Sequence, residues 1–328
     1  MGRGHQRRAG GGTVCLAGGV GAARFLRGLV RVLDPATITV VVNTADDVER
    51  HGLWVSPDID SVVYGLAGLG DEERGWGLAG ETWRCLEGLG RLGEETWFQL
   101  GDRDLATHIW RSWQRRNGRP LSAITAAQCA ALGVQARVLP VTDQVVTTRM
   151  SCRGFAAELH LQEWLVRERC APPVESVRYA GIERARPAPG VLEAIGEAGA
   201  VVVCPSNPVI SIGPILAVPG IREALRAAPR SIAITPIVAG AAVRGPAAEL
   251  LAQQGVEVSA AGVARLYADF CRAMVVDHRD PQVAAAVAAA GVEPVVAETM
   301  MDGAGAAAAL AEAVCRALGL DRPPAAAA

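Results

Sequence analysis

The short apolar run Val14-Cys15-Leu16 leads through Ala17 into Gly18-Gly19-Val20-Gly21-Ala22-Ala23-Arg24, and a helical pattern starts at once. Phe25, Leu26, Leu29, Val30 and Leu33 recur at helical spacing, so the segment reads as buried strand, tight turn and helix. Glycines let a backbone turn sharply and let an anion approach closely. The helix that follows offers unpaired N–H groups and the positive end of its dipole. No Gly-Lys-Ser/Thr follows, so this is not a P-loop, and Arg24 stands where the dinucleotide fingerprint has its third glycine. A generic phosphate cradle fits the segment. A glycine-rich β-to-α turn with no ligand is the alternative.

The chain of 328 residues is long enough for one large α/β domain or two small ones. Its net charge of −2 lacks the basic excess of a nucleic-acid-binding surface. The eight cysteines show no CxxC spacing, which suggests reduced thiols in a cytoplasmic protein rather than a zinc site or disulfide framework. Residues 198–221 carry no charge, but Pro205, Pro208, Pro214 and Pro219 exclude a membrane-spanning helix there. Residues 1–12 and 321–328 read as disordered tails, and the basic, glycine-rich first of these lacks the apolar core of a secretion signal.

Downstream, Ile38 to Val42 reads as a second parallel strand, and residues 58–135 are mostly helical. Residues 136–188 form a β insertion, with strands at Arg137–Leu139, Val145–Thr148, Ala157–Leu161 and Val174–Tyr179. From 189 to 320, helices and strands alternate again, completing the α/β domain begun at 13–135. The expected fold is therefore α/β: a Rossmann-like parallel sheet flanked by helices, with a helical region and a small antiparallel β insertion. In such sheets ligands sit beyond the carboxyl ends of the strands, so the loops after strands carry the chemistry.

Four of those loops are unusual. The glycine turn is the first. The second runs Asn43-Thr44-Ala45-Asp46-Asp47 and continues to Ser56-Pro57-Asp58-Ile59-Asp60, where Ser56 suits an N-cap and Pro57 the first helical position. Aspartates in a first turn complement the helix dipole. Four of them facing a phosphate cradle point further, to magnesium, which prefers carboxylate and phosphate oxygens. The third loop, Trp97 to His108, offers Gln99 and Arg103; Arg103 clamps phosphate or pairs with Asp102 or Asp104, while His108 is held by Asp104 one turn before it. The fourth, Cys204-Pro205-Ser206-Asn207-Pro208, uses two prolines to fix polar side chains at a strand end. Thr235-Pro236 ends the next strand similarly and forms a neighbouring wall.

In this order the segments Ala17–Leu26, Val40–Asp47, Gly52–Asp60, Trp97–His108, Pro205–Gly220 and Gly262–Phe270 resemble the CofD/FbiA family of 2-phospho-L-lactate transferases, some of whose members transfer phosphoenolpyruvyl groups. The resemblance implies a cytoplasmic transferase (EC 2.7.8 type) in coenzyme F(420) biosynthesis. Its substrates would be the deazaflavin FO and a guanosine diphosphate conjugate of lactate or enolpyruvate, its product GMP, and its metal Mg2+. It implies direct attack by the FO ribityl hydroxyl on phosphorus, with Asp60 and Asp47 catalytic and Asp46, Asp47 and Asp60 holding magnesium. Gly18, Gly19, Gly21, Asn43, Asp60, Gln99, Arg103, Ser206 and Asn207 would bind the substrates. Glutamine at 99 stands where some relatives have lysine. A homodimer is expected, with neither nucleic acid nor membrane as partner. The alternative is a regulatory protein resembling the YvcK family, which shares the glycine turn and the aspartate loop and binds a nucleotide sugar without catalysis.

Overall fold

The computed structural model describes residues 11–320. Apart from Gly11 and Gly12, the two expected tails lie outside the described residues. The chain begins with β1 (Thr13–Ala17), α1 (Gly19–Leu29) and β2 (Ile38–Val42). A hairpin of β3 (Val48–Arg50) and β4 (Leu53–Val55) leads into four helices: α2 (Pro57–Leu66), α3 (Arg84–Arg91), α4 (Asp104–Arg116) and α5 (Leu121–Ala131). Strand β5 (Arg137–Pro140) precedes an antiparallel unit of β6 (Thr147–Cys152), β7 (Leu159–His160) and β8 (Val174–Ala180).

Alternation then resumes through α6 (Val191–Gly196), β9 (Ala200–Val203), α7 (Gly213–Ala217), α8 (Ile221–Arg226) and β10 (Ser231–Ile234). A small hairpin, β11 (Ile237–Val238) and β12 (Ala241–Ala242), precedes α9 (Ala247–Gln253), α10 (Ala260–Tyr267), β13 (Ala273–Asp277) and α11 (Val283–Ala289). The chain closes with β14 (Glu293–Ala297) and α12 (Ala304–Leu318).

Seven strands form one parallel sheet in the order β14-β13-β10-β9-β1-β2-β5. Every residue of β1, β9 and β10 is buried, as a sheet covered on both faces requires. Alternate side chains divide between two cores. Cys15, Val40, Val202, Ile232 and Val275 pack under α1, α2, α5 and α12; Leu16, Val41, Val203, Ala233 and Met274 pack under α7 to α11 and the antiparallel unit.

Two local readings change. Arg137–Pro140 is not part of the antiparallel insertion but pairs in parallel with β2 as the edge strand of the main sheet. Its four residues are too short for periodicity to tell parallel from antiparallel pairing. The stretch after Asp47, read as loop, contains the β3–β4 hairpin, closed by His51 (φ 49°) and Gly52 (φ 72°) in the left-handed region.

Helix α1 lies directly on α12, and a Cβ added at Gly28 would meet the backbone carbonyl of Ala307. Gly28→Ala is therefore expected to destabilise the fold by about 1–3 kcal/mol through forced separation of the two helices. An unchanged midpoint in denaturant titration would show that they slide apart freely.

Candidate active site

The chain moves outward from β1 through β2 to β5, then returns to the other side of β1 as β9 and moves outward through β10, β13 and β14. The direction of strand addition reverses between β1 and β9, so the loops after these two strands diverge and leave a crevice. Those loops are the glycine turn and the Pro205–Asn207 segment. They are stitched together: the Gly18 N–H donates to Ser206 Oγ at 3.2 Å, and the Ser206 hydroxyl donates to the Gly18 carbonyl at 2.8 Å.

The glycines are needed for this approach. Gly19 has φ +71°, and a Cβ on Gly18 would stand 2.7 Å from Asp58 Oδ2 and 2.7 Å from Ser211 Cβ. At Gly21 a Cβ would collide with the Pro205 carbonyl, so a side chain there breaks the contact between the loops before it crowds any ligand. No side chain caps α1.

A cleft of about 610 Å3 opens over this junction, a volume suited to a nucleotide-sized molecule. Gly18, Gly19 and Gly21 form its floor with Ser206 and Asn207. Asn207 Oδ1 accepts from the N–H groups of Val209 (2.9 Å) and Ile210 (3.3 Å), leaving its buried Nδ2 without a partner among the described residues. A buried donor with no acceptor is costly unless a ligand supplies one. Gln99 joins Trp97 and Phe98 on one wall, and Thr235 and Pro236 line the other.

The aspartates separate into two groups. Asp46 and Asp58 line the cleft and are bridged by the amide of Asn43, whose Nδ2 lies 3.2 Å from Asp46 Oδ1 and 2.9 Å from Asp58 Oδ2. Burial, together with the charge of Asp58, pushes the Asp46 carboxyl well up; burial likewise raises Asp58 despite its hydrogen bonds from Asn43 and the Gly19 backbone. Neighbouring buried carboxylates repel one another unless a cation or proton lies between them.

Asp47 and Asp60 do not line the cleft. Asp47 Oδ2 accepts from Trp54 Nε1 at 2.9 Å and from the Ser56 hydroxyl at 2.7 Å, and burial pushes it up to about 7. Ser56 therefore holds the Asp47 loop instead of capping α2, although Pro57 does occupy the first turn. Asp60 points into the helical layer. Both its oxygens face the guanidinium of Arg111, which is fully buried, and Gln128 Nε2 donates to it at 3.1 Å.

The network continues through His108 to Asp104 (3.2 Å) and from Asp104 to the Tyr64 hydroxyl (2.5 Å), as expected for a histidine held by its helix neighbour. Asp60, Asp104 and His108 are close enough together to ligate a metal, but Arg111 already supplies the positive charge. Arg103 also turns away, donating to the Ala79 carbonyl, and it pairs with neither Asp102 nor Asp104. Asn43 contributes through the two carboxylates it bridges.

Several cleft residues were not singled out in the sequence. Ser61 carries no motif, Ser211 stands within the Pro205–Gly220 segment without being marked out there, and Trp76, Arg244 and Thr299 reach the cleft from loops distant in sequence. Arg169 lines it from a left-handed backbone conformation, φ 53°, that its residue type does not announce. Gln162 also lines the cleft, whereas Leu161 beside it is wholly buried.

A doubly wound parallel sheet with its cleft at the switch point defines a Rossmann-like α/β protein, and comparison with known proteins narrows that class. The family model described as 2-phospho-L-lactate transferase CofD matches residues 13–315, and the chain belongs to that family. It is a transferase of coenzyme F(420) biosynthesis. It is 49% identical over 284 residues to a phosphoenolpyruvate transferase of Streptomyces coelicolor, covering 85% of this chain and 89% of that protein. It is 48% identical to the phosphoenolpyruvate transferase of Thermobifida fusca, with coverage of 85% and 89%. A crystal structure of a UPF0052 family member from Bacillus halodurans shares the fold, with TM-score 0.60, 18% identity, and coverage of 93% of this chain and 98% of that one.

The position of Asp60 has a measurable consequence. Asp60→Ala strands the buried Arg111 charge and is expected to cost about 3–5 kcal/mol of stability. Asp60→Ala melting at the wild-type temperature would show that Arg111 finds another partner or reaches water.

Proposed function

We propose that the protein transfers a phosphoenolpyruvyl group from its guanosine diphosphate conjugate to the ribityl hydroxyl of FO, releasing GMP. The observation that carries this reading is the pair of buried carboxylates, Asp46 and Asp58, set beside the glycine turn at the switch point. The enolpyruvyl donor is favoured over the lactyl one by the names of the relatives most like this chain.

Asp46 and Asp58 offer hard oxygen ligands on one side of the cleft, which is the donor set magnesium takes. The metal proposal thus keeps Asp46 and replaces Asp47 and Asp60 with Asp58. Bound there, magnesium would neutralise charge on the phosphate oxygens.

The remaining work belongs to the chain. The Val20 and Gly21 amides in the first turn of α1 and the Asn207 Nδ2 donate to phosphate oxygens. Ser206 keeps the two loops together, so these donors are set in place before the substrate arrives. Trp97 and Gln99 offer FO an aromatic face and a neutral hydrogen-bonding group on the facing wall. Asp47 and Asp60 act as positioning residues: Asp47 ties the aspartate loop to Ser56, and Asp60 anchors α2, which carries Asp58. No cysteine, serine or histidine in the cleft is paired with a base, so direct attack by the acceptor hydroxyl, with positioning as the main source of acceleration, fits the site. The protein acts as a cytoplasmic homodimer in this reading, and among the described residues no helix is long and apolar enough to cross a membrane.

Purified protein supplied with FO, magnesium and, separately, the enolpyruvyl, lactyl and glyceryl guanosine conjugates is expected to yield the FO–phosphoenolpyruvate adduct by mass spectrometry. Nucleotide binding with no adduct from any donor would overturn the reading in favour of a binding protein. Asp58→Asn is expected to lower turnover by about 100-fold or more while leaving the fold intact, because Asp58 neutralises no buried cation and an amide oxygen in its place can still accept from Asn43. Undiminished turnover in Asp58→Asn and Asp46→Asn would remove the pair from the site.

A further inference from the structure

Arg24 occupies the place where a dinucleotide-binding turn has glycine, and the mechanism above leaves it without a task. It lies one turn into α1, and its guanidinium points toward Gly75 in the segment between α2 and α3. Arg244, an exposed residue on the loop between β12 and α9, lines the cleft and reaches the same place, whereas Arg24 lines a small adjoining cavity with Glu72 and Asp302 that shares Met301 with the cleft. Arg244 Nη1 lies 2.6 Å and Arg24 Nη2 3.5 Å from the point beside Gly75 where a Cβ would stand, and Val20 of the glycine turn is 3.1 Å from that point.

Gly75 has φ +84° and no side chain, which leaves room for the two cations to converge. Arg24 makes one long hydrogen bond, 3.5 Å, to the carbonyl of Glu72. The carboxylate of Glu72 is already taken by Arg27. Neither Arg24 nor Arg244 forms an ion pair among the described residues, although Asp302 lies near enough to be felt by Arg24. Burial and the neighbouring charge of Arg244 both press the Arg24 guanidinium downward. Two guanidiniums that meet beside Gly75 repel each other, an anion bound next to both relieves that repulsion, and their planar forks suit a carboxylate or phosphate.

We propose that Arg24 and Arg244 form an oxyanion subsite beside the glycine turn that holds a second anionic group of the donor. The inference rests on the donor-binding reading above. A molecule whose phosphate lies on the glycine turn carries its next anionic group within reach of Val20, and the conjugate offers two such groups: its other phosphate and the carboxylate of the three-carbon acid. Both are the same chemistry for a guanidinium pair. The subsite makes the donor's charge pattern, beyond its base, a determinant of recognition.

The test is equilibrium binding by calorimetry with magnesium present and FO absent, so that no turnover is involved. The probes are GDP and guanosine diphosphate–enolpyruvate, titrated into wild type, Arg24→Gln, Arg244→Gln and their lysine counterparts, each checked by thermal melting. Glutamine at either position is expected to weaken the conjugate by about tenfold or more, with lysine recovering part of the loss. If GDP weakens in parallel, the pair holds a phosphate; if GDP is unaffected, it holds the carboxylate. Folded glutamine variants that bind both probes as the wild type does would overturn the subsite. Failure of the wild type itself to bind either probe would instead overturn the donor-binding reading on which the inference rests.

Discussion

The reciprocal hydrogen bonding between the Gly18 backbone and the Ser206 hydroxyl is the contact on which the rest of the architecture converges. It joins the ends of two parallel strands 188 residues apart, at the point where the sheet changes its direction of growth. A loop pair at a switch point would ordinarily splay. Here the absence of a side chain at Gly18 and Gly21 lets the second loop lie directly on the first, against Asp58, Ser211 and the Pro205 carbonyl. The cleft is what remains above that closed floor.

The same floor sorts the acidic residues by role. Asp46 and Asp58 are held at its edge through one asparagine amide, while Asp60, two residues after Asp58, lies on the buried side of α2. A helix turns about 100° per residue, so neighbours two apart point in widely different directions. One carboxylate therefore reaches the cleft and the other meets Arg111 in the helical layer. That ion pair is shielded from water, and Gln128, His108 and Asp104 extend it, which fixes α2 against α4 and α5. The rigidity of the site on the aspartate side rests on this buried network.

Much of the fold was legible because its signals are unbroken: the continuous apolar runs of β1, β2 and β9 and the helical spacing of α1 leave few alternatives. The edge strand was not. Arg137–Pro140 bounds two apolar residues with an arginine and a proline, and its partner β2 is distant in sequence, so its place at the sheet edge comes from tertiary pairing. The floor of the site, Gly18, Gly19, Gly21, Ser206 and Asn207, was visible as motif chemistry. Which aspartates face it was not, because the first turn of α2 presents Asp58 and Asp60 equally until Arg111 arrives from a helix fifty-one residues away. Arg169 and Arg244 were invisible too, because each is brought to the cleft by a loop that no local pattern places there.

The central claim is that the switch-point cleft takes the phosphates of a guanosine nucleotide. Amide hydrogen exchange with and without GDP and magnesium tests it without assuming any reaction. Protection concentrated in peptides spanning Val14–Arg24 and Cys204–Ile212 is the expected result, since those segments meet at the floor of the cleft. Protection confined to the helical layer around Asp60, Asp104 and His108, with the glycine turn unchanged, would contradict it.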